Sequence, residues 1–435
     1  MILRDPVHGL VVFEGPAEPV VTRLLATIEV QRLRRVRQLG MTSLVFPGAE
    51  HSRFAHAIGA AHLMVRLLEH LETRQGSLPP EMRLDDEARR DAIAAALLHD
   101  LGHGPFSHLF EQVLPNARHH EEWTQDAILS PDTEVHQTLE SISEGMSSRV
   151  VDLLSGRHRL GYLGRAISGT LDVDRCDYLL RDSHMTGVRY GLYDLDWLLR
   201  ALCFAQVESG EWVLAIEGRK GVPPIESFFL ARNNMYQQVY HHKATRAAEC
   251  VIRAVFVRVA ELLRDGTRLT NVPAAIRAAV LEDETKLADY MLLDDARLMA
   301  SIGDWALAAD PLLSGLCQQL IARKLPKTIP LPLSSRDSWD EAKRKAEAIV
   351  SKAGRRADLE VSLDVPWDVP YSEPGGSSPE GLWVQISHRA LQRVGDVSFL
   401  LGELRNKRLE RPRLIIPSSC RDEIELAVRP LLEGS

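Results

Sequence analysis

The chain has 435 residues, 45% hydrophobic and 26% charged side chains, and a formal net charge of -8 at pH 7. That length accommodates two domains, or one large helical domain plus a smaller one. The acidic balance argues against nucleic acid as a ligand, the shortness of every apolar run argues against a membrane span, and five scattered cysteines with no CxxC pair argue against a disulfide framework or a thiolate zinc site.

In chain order, the opening MILRDPVHGL lacks the apolar core of an export signal, and the cysteine usage fits a reducing compartment, so a cytoplasmic location is expected. Residues 7–13 (VHGLVVF) read as extended. From about residue 20 to 325 the dominant signal is helical, with apolar residues at three- and four-residue spacing over 59–74 and 85–98. Asp85 or Asp86 is the expected N-cap of the second of these. The basic stretch 32-RLRRVR-37 reads as a solvated helix face ahead of a phosphate-binding patch. GHGPF then breaks the helical pattern, and further helices are expected over 119–129, 134–155, 174–184, 194–202, 224–264, 271–283 and 285–325. A hairpin over 203–217 turns at Ser209-Gly210.

Composition shifts near 326-PKTIPLPLSS-335. A charged helix at 337–352, strands near 358–364 and 382–387, a Pro/Gly/Ser-rich loop at 370–379, a helix near 397–407, a strand at 412–416 and a last helix at 420–432 follow. The expected architecture is a mainly α domain over 1–325 containing a small β-hairpin, then a mixed α/β appendage over 326–435 in which no chemistry is legible.

Nine of the sixteen histidines lie between His51 and His120. An isolated histidine is usually a satisfied core or surface residue, and that account suffices for His62, His70, His136 and His158. It strains at adjacent His99 and Asp100, which end the apolar run AIAAALL where the GHG that follows loosens the helix end. Three further stretches add ligand types: 51-HSRFAH-56, 119-HHEEW-123 and 172-DVDRCDYLLRDSH-184, in which Asp174, Tyr178 and Arg181 share one helical face. His56, His99, Asp100 and Asp174 make an N2O2 set that neutralises a divalent cation and suits Mn, Fe, Co or Zn better than Mg.

With those blocks in place, the sequence resembles the HD-domain superfamily of metal-dependent phosphohydrolases, and within it the deoxynucleoside triphosphate triphosphohydrolases. The resemblance rests on DPVHG (5–9), QRLRRVRQLG (31–40), VFPGAEHSRFAH (45–56), LLHDLGHGPFSH (97–108), HHEEW (119–123), DVDRCDYLLRDSH (172–184) and YQQVYHHK (236–243), in the family's order across roughly residues 1–260.

It implies one divalent metal ion per active site held by His56, His99, Asp100 and Asp174, and hydrolysis at the α-phosphorus that releases the nucleoside and intact tripolyphosphate. His120 matches the proton donor to the departing oxygen, with His103 near the α-phosphate and Glu111, where many relatives have Asp, orienting the relay. Read alone, His119 and His120 are equally well a surface pair starting a helix. Arg53, His108, Arg175, Arg232 and Lys243 match triphosphate-binding positions. Arg232, Tyr236, Val239 and Lys243 also fall on one helical stripe flanked by Tyr240, a pattern that favours a binding face over an apolar seam with snorkelling charged ends. Tyr178, Gln38 and Asp182 match sugar contacts, with Tyr178 crowding C2′, and His241 falls where relatives contact the base. The resemblance further implies a homo-dimer or homo-tetramer, and in some relatives a nucleotide effector between subunits. Gln31 and Arg34 match effector contacts, but Ala26 stands where a guanine-recognising carboxylate would fall, leaving an altered effector site or none. Two other readings stay open: an HD nucleotidase or phosphodiesterase on another nucleotide, and a nucleotide sensor without turnover.

Overall fold

A computed structural model describes residues 1–113, 118–333, 336–376, 378–387 and 390–433. The chain is mainly helical with small sheets. It opens with an antiparallel hairpin of β1 (Ile2–Asp5) and β2 (Gly9–Val12), in which Ile2 faces Val12 and Asp5 faces Gly9. Asp5 builds the turn: one carboxylate oxygen accepts the Val7 and His8 N–H groups at 2.9 Å each. Val11 and Phe13 anchor the hairpin in the main core.

That core is formed by α1 (Ala17–Leu25), α2 (Arg53–Glu72), α3 (Asp86–Leu98) and the helices Met146–Leu154 and Gly161–Ile167, with the long helix carrying the DVDRCDY stretch packed against α2. Asp85 caps α3, accepting the Ala88 N–H at 2.7 Å, and the run from Ala92 to Leu98 is buried throughout.

Three expected helices are divided. The 134–155 pattern breaks at Gly145, whose φ of +74° is a left-handed conformation, and restarts at Met146. The 224–264 pattern holds a π turn at Tyr236–Tyr240 between Val222–Met235 and Lys243–Arg264. The 285–325 pattern restarts at Asp294 and at Asp310, where each carboxylate caps a new helix by accepting the N–H three residues on. Periodicity spans such breaks because the apolar face continues across them. Gly161–Ile167 is a helix the sequence reading lacked.

The basic stretch is a solvated face only in part: Arg34 and Arg35 are exposed and Arg32 is not. Arg32 is 1% exposed, and its guanidinium donates to the carbonyls of Leu293, Leu101 and His103 at 2.7, 3.2 and 2.7 Å, clamping the GHG break. Arg34 lies over the Phe54 ring at 3.6 Å, and Arg35 and Arg37 pair with Asp294 and Glu50.

The hairpin of β3 (Leu202–Gln206) and β4 (Trp212–Glu217) forms as expected around Ser209-Gly210. Its outer strand, however, continues into the C-terminal region. Labelling Lys327–Pro330 as β5, Ser362–Asp364 as β6, Trp383–Ser387 as β7, Ala390–Arg393 as β8 and Arg413–Ile416 as β9, β4 pairs in parallel with β7, and β7 pairs antiparallel with β8. The boundary expected at 326 is thus crossed by one four-stranded sheet, and Tyr371, Leu382, Val384, Val394 and Leu401 join the main core. A separate antiparallel sheet, ordered β5-β9-β6, packs on Arg336–Lys352 and Arg421–Glu433 around Trp339, Ile416 and Ile424. Among the described residues no helix is long and apolar enough to cross a membrane.

Candidate active site

Three segments remote in sequence deliver the ligand candidates to one point. His56 lies in the first turn of α2, His99 and Asp100 directly follow α3, and Asp174 is the second residue of the helix Val173–Thr186. Asp172 caps that helix by accepting the Arg175 N–H at 2.7 Å. The helix approaches α2 closely because Gly59 has no side chain: a Cβ there would lie 1.8 Å from Asp177 Oδ1.

His56 Nε2 is 3.2 Å from His99 Nε2 and 3.1 Å from Asp174 Oδ1, and His99 Nε2 is 3.4 Å from that same oxygen. The other ring nitrogens are already committed as donors, His56 Nδ1 to Asp177 Oδ2 at 2.8 Å and His99 Nδ1 to the Ala96 carbonyl at 2.9 Å. Were both rings neutral, two lone pairs and a carboxylate oxygen would face one another, an arrangement that repels unless a proton or a metal cation lies between them. Positive charge is favoured here: burial opposes protonation of His56, yet hydrogen bonds to Asp174 and Asp177 lift its pKa to about 10. The donor set fits a divalent ion on these grounds. Asp100 stands slightly apart. Its oxygens are 3.6 Å from His56 Nε2, 3.5 Å from His99 Nε2 and 3.2 Å from His103 Nε2, and it is hydrogen-bonded by Arg53 Nη1.

Beside this cluster the His103 and His120 rings stack at 3.7 Å with 14° between planes. His120, the first residue of the helix His120–Leu129, donates from Nδ1 to Glu111 Oε1 at 2.8 Å, and His103 Nδ1 lies 3.7 Å from that oxygen. Burial, then the neighbouring Arg53 charge, holds His103 well below its ordinary pKa, so the ring is neutral. His119 is 75% exposed at the side chain, where it lies 3.3 Å from the outer Glu111 oxygen, and its backbone N–H donates to Glu122 Oε1 at 3.3 Å.

A cavity of about 390 Å³ opens above these groups, lined by Gln38, Arg53, Asp100, His103, His120, Asp174, Arg175, Tyr178, Asp182, Tyr240 and His241 among others. Asp182 is fixed by His51 Nε2 at 2.7 Å and by the Tyr240 hydroxyl at 2.8 Å. Gln38 Oε1 is buried and without a hydrogen-bond partner among the described residues. Burial with Arg246 nearby pushes His241 down to about 4.

Two expected phosphate-binding cations lie elsewhere. Arg232 holds Asp368 with two hydrogen bonds of 2.9 and 2.8 Å, stacks over Tyr236 at 4.4 Å and lines a neighbouring cavity of about 450 Å³, which Arg175 also borders. Lys243 is exposed in the first turn of its helix, because the π turn shifts it off the stripe that straight helical spacing predicts. The His108 side chain lies outside the described residues.

A further layer of side chains lies beneath the cluster, unmarked by any ligand motif in the sequence. Asp177 is fully buried and accepts from His56, from His8 Nε2 at 2.6 Å and from Arg181 twice at 2.8 Å; Arg181 also reaches Asp5 at 2.8 Å. The four-residue spacing of Asp177 and Arg181 was the visible signal for it.

Residues 53–181 match the model of the HD domain. The chain is 37% identical over 324 residues to the uncharacterized protein YwfO of Bacillus subtilis, covering 74% of this chain and 70% of that protein. This chain belongs to the HD-domain family. It is also 30% identical over 327 residues to the deoxynucleoside triphosphate triphosphohydrolase SAMHD1 of Homo sapiens, covering 67% of this chain but only 50% of SAMHD1. The crystal structure of a phosphohydrolase from Bacteroides thetaiotaomicron superposes with a TM-score of 0.79 at 27% identity, over 96% of this chain and 99% of that one. The HD-domain match begins at Arg53 and ends at Arg181, so both of its ends are residues of the site just described.

Proposed function

We propose that the protein hydrolyses deoxynucleoside triphosphates, with a divalent metal, to deoxynucleoside and tripolyphosphate. The observation that carries this reading is the juxtaposition of the His56–His99–Asp174 triangle with the His120–Glu111 pair on one nucleotide-sized cavity. SAMHD1, whose name states that reaction, supports the choice of substrate. His56, His99, Asp174 and the adjacent Asp100 hold the ion, with Mn, Fe, Co or Zn favoured by the mixed donor set. A divalent ion held by these residues would supply Lewis-acid polarisation and an activated water near neutrality.

The side chains divide the remaining work. Arg53, braced by Ser107 at 2.9 Å, and Arg175 neutralise phosphate charge. His120, oriented by Glu111, donates a proton to the departing 5′-oxygen, and the stacked, neutral His103 accepts or donates a hydrogen bond at the α-phosphate. Tyr178 crowds C2′ of the sugar, while Gln38 Oε1 and Asp182 await the 3′-hydroxyl donor. Arg232 and Lys243 have no part in this arrangement as it stands. A cytoplasmic homo-dimer or tetramer, with an altered nucleotide effector site or none, completes the reading.

The test is product analysis across the four deoxynucleoside triphosphates and their ribo counterparts with Mn and with Mg. Equal amounts of tripolyphosphate and deoxynucleoside, abolished by chelation and by His99→Ala, are expected. Pyrophosphate or orthophosphate as the main product overturns the proposal.

A further inference from the structure

Resting on the nucleotide reading above, we infer that Thr245, Arg246 and Glu249 form a base-reading wall that selects guanine. The cavity that reaches Asp100 and Asp174 also extends to these three residues, on the helix Lys243–Arg264 where it packs against Gly40–Leu44. That wall carries none of the four ligand candidates, so a nucleotide with its phosphates at Arg53 and Arg175 directs its base towards it.

Thr245 borders this wall. Thr245 is 2% exposed, and Oγ1 has no hydrogen-bond partner among the described residues. Buried hydroxyls are ordinarily satisfied, so a rotation of the Thr245 side chain that turns this one into the cavity would gain it a partner there. Glu249 lies four residues on, above Thr245 on the same helical face. Arg246 Nη1 donates to Glu249 Oε2 at 2.5 Å, while its Nε and Nη2 donate to Asp364 Oδ1 at 3.1 and 2.7 Å. Arg413 Nε sits 3.1 Å from the other Asp364 oxygen. Two guanidinium groups against two carboxylates cancel, so this wall suits a neutral polar edge and not a phosphate.

Donor and acceptor order then picks the base. An ionised carboxylate only accepts, a guanidinium only donates and a hydroxyl does either. Guanine presents two adjacent donors, N1–H and the 2-amino group, beside the acceptor O6. Its donors meet Glu249 while O6 takes the Thr245 hydroxyl or Arg246. Adenine and cytosine set an acceptor beside their single amino donor, and thymine flanks its one N–H with carbonyls, so each turns an acceptor towards the carboxylate.

The wild-type protein is expected to show a higher kcat/KM for dGTP than for the other three deoxynucleotides. Deoxyinosine triphosphate, which lacks only the 2-amino group, should lose about tenfold or more, the worth of one charged hydrogen bond. In Glu249→Gln that dGTP-over-inosine preference should disappear and kcat/KM for dCTP should rise, since the amide offers a donor to the acceptor that cytosine turns towards it. Thr245→Val, close to isosteric, is the second variant in case the buried Arg246–Glu249 pair is needed for folding, and it should lower dGTP turnover selectively. Equal turnover of all four bases, or a loss shared equally by all four in both variants, overturns the inference. Calorimetric binding of dGTP and dCTP to His120→Ala separates the two readings. Guanine preference in binding without tripolyphosphate release by the wild type refutes the reaction and keeps the wall. Tripolyphosphate release with no base preference does the reverse.

Discussion

His8 and His56 share one carboxylate: Asp177 accepts His8 Nε2 at 2.6 Å through one oxygen and His56 Nδ1 at 2.8 Å through the other. The N-terminal hairpin is thereby tied to a ring whose opposite nitrogen faces the candidate metal position. Asp177 is held well below the ordinary carboxylate range: burial opposes ionisation, and Arg181 and the two histidines overcome it. Asp177→Asn removes the charge that orients His56. Metal affinity should fall about 10- to 100-fold, the usual cost of losing such an outer partner, as read by titration with Mn while circular dichroism confirms a folded chain. Unchanged affinity would mean that Asp177 serves packing alone.

If His120 is the proton donor proposed above, His120→Ala should lower kcat by about 10²- to 10⁴-fold with little change in KM, since the ring would act on the leaving oxygen. Glu111→Gln should give a smaller loss, because an amide oxygen still accepts from His120 Nδ1 and keeps the ring oriented. A KM effect with intact kcat in His120→Ala would move the residue from catalysis to binding.

Tyr178 provides a test of sugar selection. Its ring lies 6.2 Å from that of Tyr240 and lines the cavity beside Asp182. Tyr178→Ala should raise the ratio of ribo- to deoxyribonucleotide kcat/KM by about tenfold or more, in keeping with about 1–3 kcal/mol for a shape difference of this size. An unchanged ratio places the discrimination elsewhere.

Acid should release the hairpin first. The Asp5 pKa lies below its ordinary 3.8: burial raises it, while the Arg181 hydrogen bond and charge and the His8 and Val7 N–H groups lower it further. A depressed carboxylate contributes stability that is fully present above the unfolded-state value and is lost as pH falls through the folded-state value. Asp5→Asn should therefore lower Tm near neutrality, and the gap from wild type should close below about pH 4. A gap that persists at lower pH would assign Asp5 a role independent of its charge.

Much of the site was legible in the sequence because its signals are local or ordered in blocks. His56, His99 and Asp174 converge as their motifs suggest, and the α3 cap and the β3–β4 hairpin follow from Asp85 and Ser209-Gly210. What was hidden depends on tertiary pairing. Arg232 has the spacing of a binding face, yet Asp368, far along the chain, claims its guanidinium. Lys243 was placed by an ideal helical repeat that the π turn at Tyr236–Tyr240 interrupts. Arg32 looked like part of a solvated run and is instead the buried clamp behind the GHG break, since no local pattern tells a charge satisfied by carbonyls from one satisfied by water.

The parallel pairing of β4 with β7 carries a practical consequence. A chain cut at residue 326 would strip one side of the β3–β4 ribbon, leaving the β4 edge around Ile216 unpaired, and would strand the Arg232 guanidinium without its counter-ion. Such a fragment would expose a sticky, self-pairing edge, so the residues beyond 326 complete the fold around the candidate site and are to be kept in any expression design.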